Sequence, residues 1–127
     1  MERAVEVFVA VGMFGVGLSH LLQPLAWVEF FVWLRSQGRC AVFLEGLLSL
    51  NFGALVVAFH NVWTGLPVVV TVIGWGMVLK ATVRLAAPGL GLRIYERIMP
   101  ERAWHFRAAG VLALALSAFS AYLAVSR

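Results

Sequence analysis

The segment at 57–89 has the sequence VAFHNVWTGLPVVVTVIGWGMVLKATVRLAAPG. A short polar and aromatic stretch at 60–65 separates two strongly apolar runs. Pro67 follows this stretch, in the first helical turn where proline is tolerated, and Pro88 ends the second run. A helix that crosses the hydrocarbon core needs about 20 apolar residues, which both runs reach when the first is followed back to Ala41. The segment therefore predicts two antiparallel transmembrane helices joined by a tight turn.

The rest of the chain has the same apolar character. Of its 127 residues, 62% are hydrophobic and 13% charged, and the mean hydropathy is +0.92. A soluble domain of this size needs a polar exterior that these residues cannot supply. This composition excludes a soluble enzyme and a disordered chain, and the single cysteine excludes a disulfide scaffold. The net charge of +4 does not indicate a nucleic-acid partner, because the basic residues lie between apolar runs.

Two further apolar runs bring the predicted spans to four, in one domain that covers residues 1–127. The predicted spans are about 4–23, 41–60, 66–87 and 104–125. The first is too long for the core of a signal peptide and no cleavage pattern follows it, so we expect it to be retained. The connectors 24–38 and 91–99 are too apolar for ordinary loops and predict interfacial helices. The expected fold class is all-α, a four-helix transmembrane bundle with two short interfacial helices.

The basic residues predict the orientation. Eight of the ten lie in or beside the two connectors after spans one and three: Arg35, Arg39, Lys80, Arg84, Arg93, Arg97, Arg102 and Arg107. Only Arg3 and Arg127 lie on the other side. Because short cytoplasmic loops carry the excess of Lys and Arg, both termini are expected on the non-cytoplasmic side.

Glu45 and Lys80 are predicted to meet inside the membrane. They lie fifteen and fourteen positions from the turn that joins spans two and three, on antiparallel neighbours. At about 1.5 Å of rise per residue, their depths are nearly equal. A lone charge at that depth is costly, so we favour an ion pair that fixes packing. A proton- or ion-coupling site, and two groups that snorkel separately, are the alternatives.

Other polar residues near this hairpin have candidate roles. Asn51 lies near the middle of its span and is predicted to hydrogen-bond across helices to Thr71. His60, Asn61 and Trp63 form the outer edge of the hairpin turn, which we interpret as a rigid interfacial turn. A binding edge for a ligand or partner is the alternative interpretation.

His20 and His105 suggest a haem hypothesis, because both lie near the cytoplasmic ends of their spans and two imidazoles suffice for haem b. Neither histidine comes with a supporting ligand pattern, so we expect no cofactor and no metal. The chain has no aspartate, no phosphate-binding glycine loop, no zinc-ligand spacing and no nucleophile elbow. We therefore expect a protein that is not an enzyme, with intramembrane chemistry left open.

The hairpin segment carries a recognisable pattern. Its residues are Phe59-His60-Asn61-Val62-Trp63, then Pro67, Thr71, Ile73-Gly74-Trp75, Leu79-Lys80 and Pro88. This pattern, within a segment of about a quarter of the chain, resembles one in small uncharacterised bacterial membrane proteins with several spans. The resemblance implies a multi-pass location in the bacterial inner (plasma) membrane, and it implies no chemistry.

Together these features favour a non-catalytic structural or assembly subunit of a homo-oligomer or larger membrane complex. Its expected partners are the lipid bilayer and copies of itself or other membrane subunits. A small-solute or ion transporter or channel that uses the Glu45/Lys80 pair is the first alternative. A haem- or quinone-binding membrane protein is the second.

Overall fold

The computed structural model describes residues 1–126 and contains no strand among them. The elements are α1 (Glu2–Leu22), α2 (Pro24–Ser36), α3 (Arg39–Phe59), α4 (Val68–Ala86), α5 (Pro88–Glu96) and α6 (Trp104–Ser126), with a 3₁₀ turn at Pro100–Arg102 before α6. Four of these helices, α1, α3, α4 and α6, are long and apolar enough to cross a membrane. The chain is therefore all-α and has the make-up of a multi-pass membrane protein.

The four long helices begin and end within two residues of the predicted spans. The two connectors with helical patterns also contain helices, although α5 begins at Pro88 and ends at Glu96, earlier than the 91–99 segment expected. Proline starts both α2 and α5, where its missing N–H costs nothing. Gly65 has a φ of +70°, a left-handed conformation that favours glycine, and it reverses the chain between α3 and α4.

The long helices form two antiparallel pairs. In the first pair α1 packs along α6, and in the second α3 packs along α4. Contacts between α1 and α3 are far fewer than contacts within either pair. The molecule is thus two closely packed helix pairs with a looser junction between them.

The junction is closed at both ends of the molecule. We call the end that holds α2, α5 and the 3₁₀ turn the basic end, and the end with the 60–67 connector the turn end. At the turn end a small core combines residues of both pairs: Val5, Val9, Val56, Val70 and Leu123. At the basic end α2 and α5 pack against α3 through a second core: Leu34, Ala41, Val42 and Tyr95. The space between these two cores holds the candidate site.

Within each pair the helices approach most closely where two glycines face each other. A Cβ on Gly110 of α6 would lie 2.8 Å from the carbonyl oxygen of Gly17 on α1. A Cβ on Gly53 of α3 would lie 3.0 Å from the carbonyl oxygen of Gly74 on α4. Small residues allow spans to associate by backbone contact, because lipid supplies no hydrophobic drive for helix association. These two contacts set the separation of the helices in each pair.

The Gly17–Gly110 contact makes a stability prediction. Gly110→Ala should lower the free energy of unfolding by roughly 1–3 kcal/mol, because the added methyl would meet backbone that cannot give way locally. Gly15→Ala is the matched control, since a Cβ there meets nothing within 4 Å. Unfolding of both variants in detergent, followed by circular dichroism, measures the difference. Equal stabilities would contradict the close approach.

Candidate functional site

A lateral crevice lies between the two helix pairs, toward the basic end. It has a volume of about 370 Å³, and its walls come from α1, α2, α3 and α4. The residues that matter for its chemistry are His20, Trp27, Phe31, Glu45, Leu48 and Lys80. A neighbouring apolar cavity of about 440 Å³ shares Trp27 and Leu48 and is also lined by Phe52. The crevice is thus a largely apolar space with charged groups on one wall.

Glu45 is the centre of the charged wall. Lys80 Nζ lies 3.3 Å from Glu45 Oε1, and the Arg84 guanidinium donates to Glu45 Oε2. Ser49, one turn further along α3, donates from its hydroxyl to Glu45 Oε1 at 2.9 Å. Lys80 and Arg84 are also one helical turn apart, so both reach the same carboxylate from α4. One carboxylate therefore faces two cations.

The two cations differ in exposure. The Lys80 side chain is 45% exposed, whereas the Arg84 side chain is 14% exposed and Glu45 is 22% exposed. Lys80 and Glu45 line the crevice, and Arg84 does not. If Lys80 turned to another anion, Glu45 would keep its bonds to Arg84 and Ser49. The arrangement can thus bind an anion without leaving a buried carboxylate unpaired, the outcome that is most costly in such sites.

Tyr95 of α5 packs at the base of this region. It is 1% exposed, and its ring contacts Phe31 of α2 with centroids 5.4 Å apart. Burial raises the pKa of the Tyr95 hydroxyl, and the nearby Glu45 carboxylate raises it further. Tyr95 therefore adds no negative charge beside Lys80 and Arg84 at neutral pH.

The opposite wall of the crevice joins α1 to α2. His20 Nδ1 lies 2.8 Å from the carbonyl oxygen of Val16, and a carbonyl oxygen can only accept. Nδ1 therefore carries a proton, and the Nε2 edge of the ring is left for another partner. The His20 ring stacks on Trp27 with centroids 4.0 Å apart, and Trp27 Nε1 donates to the Ser19 hydroxyl at 2.8 Å. This wall presents aromatic surface and one imidazole edge.

A second polar cluster lies at the turn end and is fully buried. Glu6 Oε1 of α1 lies 3.1 Å from His60 Nε2, and His60 Nδ1 lies 3.1 Å from Thr71 Oγ1 of α4. All three residues are 0% exposed. The backbone N–H of Val62 also donates to Thr71 Oγ1, at 2.9 Å. The cluster ties the start of α1 to the end of α3 and the beginning of α4.

The structure brings Glu45 and Lys80 together, as the depth argument expects, and adds Arg84. Sequence reasoning counted Arg84 only as an orientation signal. Its position four residues after Lys80 places it on the same face of α4, so helical spacing was the signal that would have found it.

The prediction of a hydrogen bond between Asn51 and Thr71 is wrong. Asn51 Nδ2 donates instead to the carbonyl oxygen of Leu47 in its own helix, and Thr71 bonds to His60. The two residues lie at different depths along their helices, so their side chains do not meet. Thr71 lies within the first turn of α4 and Asn51 more than two turns before the end of α3.

The prediction that His60, Asn61 and Trp63 together form the outer edge of the turn is wrong for His60. His60 is buried and faces the interior, because Glu6 and Thr71 bind both of its ring nitrogens. Asn61 and Trp63 are exposed, and Asn61 Oδ1 accepts hydrogen bonds from the indoles of Trp63 and Trp75.

Sequence reasoning did not single out Glu6. The depth argument used for Glu45 and Lys80 would have found it. Glu6 lies in the second turn of α1 and His60 just after α3, and both are at the turn end.

His20 and His105 line one cavity at the basic end, which shares His20 and Phe31 with the crevice. His105 packs against Trp104, with ring centroids 3.9 Å apart. Within residues 1–126 no group of three or more His, Cys, Asp or Glu is arranged to hold a metal ion.

Comparison of the chain with protein-family models, with curated proteins and with solved structures finds no match. The geometry of the crevice is therefore the basis for assigning a function.

The two-cation arrangement makes a stability prediction. Glu45→Gln should lower the free energy of unfolding by about 3 kcal/mol, because it leaves Lys80 and Arg84 without their shared carboxylate. Lys80→Gln should cost about 1 kcal/mol or less, since Arg84 and Ser49 still satisfy Glu45. Denaturation in detergent measures both.

The charge exchange Glu45→Lys with Lys80→Glu separates this arrangement from an isolated ion pair. We expect the exchange to leave the protein destabilised, because Arg84 would then face a second cation on α3. Full recovery of stability in the exchanged protein would contradict the shared-carboxylate arrangement.

Proposed function

We propose that the protein is a non-catalytic, multi-pass protein of the bacterial inner membrane that binds an amphiphilic monoanion in the crevice and carries it as a small transporter. The single observation behind this proposal is Lys80. It is one of two cations that face one carboxylate, and its side chain is 45% exposed in a largely apolar crevice. One positive charge is left to attract a ligand.

The membrane placement is supported by the distribution of charge. Six arginines lie at the basic end, in or beside α2, α5 and the 3₁₀ turn: Arg35, Arg39, Arg93, Arg97, Arg102 and Arg107. By the positive-inside rule, this distribution supports a cytoplasmic basic end with both termini outside. In this orientation α2 and α5 are interfacial helices at the cytoplasmic face, and the resemblance of the 57–89 segment supports the inner membrane.

The chemistry of the crevice defines the ligand. Glu45 and Lys80 each lie six residues from the basic-end terminus of their helix, about 9 Å along the axis. An anionic group at Lys80 would therefore sit below the headgroup region, at a depth that favours a ligand with an apolar tail. The single excess charge matches a monoanion, and Trp27, Phe30 and Phe31 supply apolar surface for the tail. We take a long-chain carboxylate as the representative ligand.

A second candidate function is assembly, as a subunit of a homo-oligomer or of a larger membrane complex. The supporting observation is the free glycine surface on two spans. A Cβ built on Gly15 of α1 or on Gly76 of α4 meets nothing within 4 Å. Such positions allow another helix to approach closely, as the glycines inside the pairs do.

The carrier proposal is tested with 9,10-dibromostearate, which quenches tryptophan fluorescence on contact. Purified protein in nanodiscs should show saturable quenching, and Trp27→Phe should remove most of it, because Trp27 lines the crevice. Lys80→Gln should weaken binding at least tenfold, whereas Lys80→Arg keeps the charge and should retain it. Binding that is unchanged in Lys80→Gln would overturn the proposal.

Native mass spectrometry of the protein extracted from its own membrane distinguishes the two candidate functions. A monomer that carries a carboxylate amphiphile supports the carrier. A defined oligomer or a partner subunit, with no bound anion, contradicts the carrier and supports assembly.

A further inference from the structure

A second cavity lies at the basic end, under the 3₁₀ turn that leads into α6. Its volume is about 470 Å³, and its walls come from α1, α2, α5 and α6 with the segment between α5 and α6. The residues that define it are His20, Phe31, Arg97, Arg102, His105 and Phe106. We call it the basic-end cavity. It shares only His20 and Phe31 with the crevice.

The basic-end cavity has unbalanced positive charge. No ion pair within residues 1–126 includes Arg97 or Arg102. Glu96 and Glu101 are their chain neighbours and do not pair with them either. Two arginines that pair with no carboxylate therefore line the cavity.

The start of α6 adds to this positive potential. His105 and Phe106 lie in its first turn, which contains no acidic residue, and the amino end of a helix carries partial positive charge. One guanidinium group can bind two oxygens of a phosphate at once. Two such groups together with the amino end of a helix therefore match a phosphate better than a carboxylate. The charge of the cavity thus points to a phosphate ligand.

The remaining walls are apolar. Phe31, Ile94, Ile98, Phe106 and Ala109 line the cavity alongside the arginines. A free phosphate would leave this surface in contact with water, whereas a phosphate that carries acyl chains would cover it. The lining therefore matches a phospholipid, with basic residues for its phosphate and apolar residues for its acyl chains.

We infer that the basic-end cavity binds the phosphate group of an anionic membrane phospholipid. Arg97 and Arg102 hold the phosphate, and Phe31 and Phe106 contact the first part of the acyl chains. This site is distinct from the anion site at Lys80, and it does not depend on the proposed carrier function.

The test uses protein in nanodiscs that contain phosphatidylglycerol and phosphatidylcholine in equal amounts, followed by extraction and native mass spectrometry. The wild-type chain should retain phosphatidylglycerol at least tenfold over phosphatidylcholine. The double variant Arg97→Gln with Arg102→Gln should lose this preference. The matched control is Arg93→Gln with Arg107→Gln, which removes the same charge from residues of the basic end that do not line the cavity, and it should keep the preference.

A second variant tests the site in a protein that is expected to keep its fold. Arg97→Lys with Arg102→Lys keeps the charge and removes the paired guanidinium geometry, so we expect partial loss of phosphatidylglycerol in a folded protein. Equal retention in the glutamine variant and its control would overturn the inference, because charge at this end would then act without a defined site.

Two further readouts separate the alternatives. Displacement of the lipid by millimolar glycerol 3-phosphate would overturn the assignment to a lipid, since a free phosphate ester would then suffice. A Soret band in the purified protein would also overturn it, because His20 and His105 would then hold haem in this space. Lys80→Gln should leave phosphatidylglycerol retention unchanged, so failure of the carrier proposal and failure of this one are distinguishable.

Discussion

The buried contact between Glu6 and His60 is the constraint on which the arrangement of the two helix pairs depends. Glu6 belongs to α1 and His60 follows α3, and the two side chains meet at 3.1 Å with no exposure to the surroundings. Polar groups buried in a membrane protein must find partners within it, because lipid offers none. Separation of the α1/α6 pair from the α3/α4 pair at the turn end would break this contact, and the small apolar core beside it adds to the cost.

The crevice is a consequence of where the pairs are joined. The turn end is closed by Glu6, His60 and the core around Val9, and the basic end is closed by α2 and α5 packed on α3. Between these junctions each pair is held by its own glycine contact, and contacts between α1 and α3 are few. A space therefore remains at the depth of Glu45 and Lys80. Their charges are stable there because Arg84 and Ser49 complete the set of partners around Glu45.

The sequence was most informative about features that depend on neighbouring residues or on position along a helix. Length and hydropathy predicted four spans with nearly the bounds of α1, α3, α4 and α6, and a depth count along one hairpin brought Glu45 close to Lys80. The same count was not applied to Glu6 and His60, which are 54 residues apart in the chain. The pairing of α1 with α6 follows from shape at Gly17 and Gly110, and no local pattern in either span specifies the partner.

Asn51 shows the limit of reasoning from residue type. An amide in an apolar span must find a partner, but the rule does not say which, and Asn51 satisfies its N–H within its own helix through Leu47. The prediction correctly singled out Thr71 as a polar contact but gave it the wrong partner. Its hydroxyl completes the buried cluster at His60. Cross-helix partners depend on rotation and depth together, and a single sequence supplies only the depth.

The measurement that tests the central claim most directly is a double-mutant cycle between Glu6→Gln and His60→Gln, with unfolding in detergent as the readout. If the buried contact joins the two helix pairs, each single variant should cost about 3 kcal/mol. The double variant should cost about 3–4 kcal/mol, little more than either single variant, which corresponds to a coupling energy of about 2–3 kcal/mol. Losses that simply add would show that Glu6 and His60 act independently and would contradict the account.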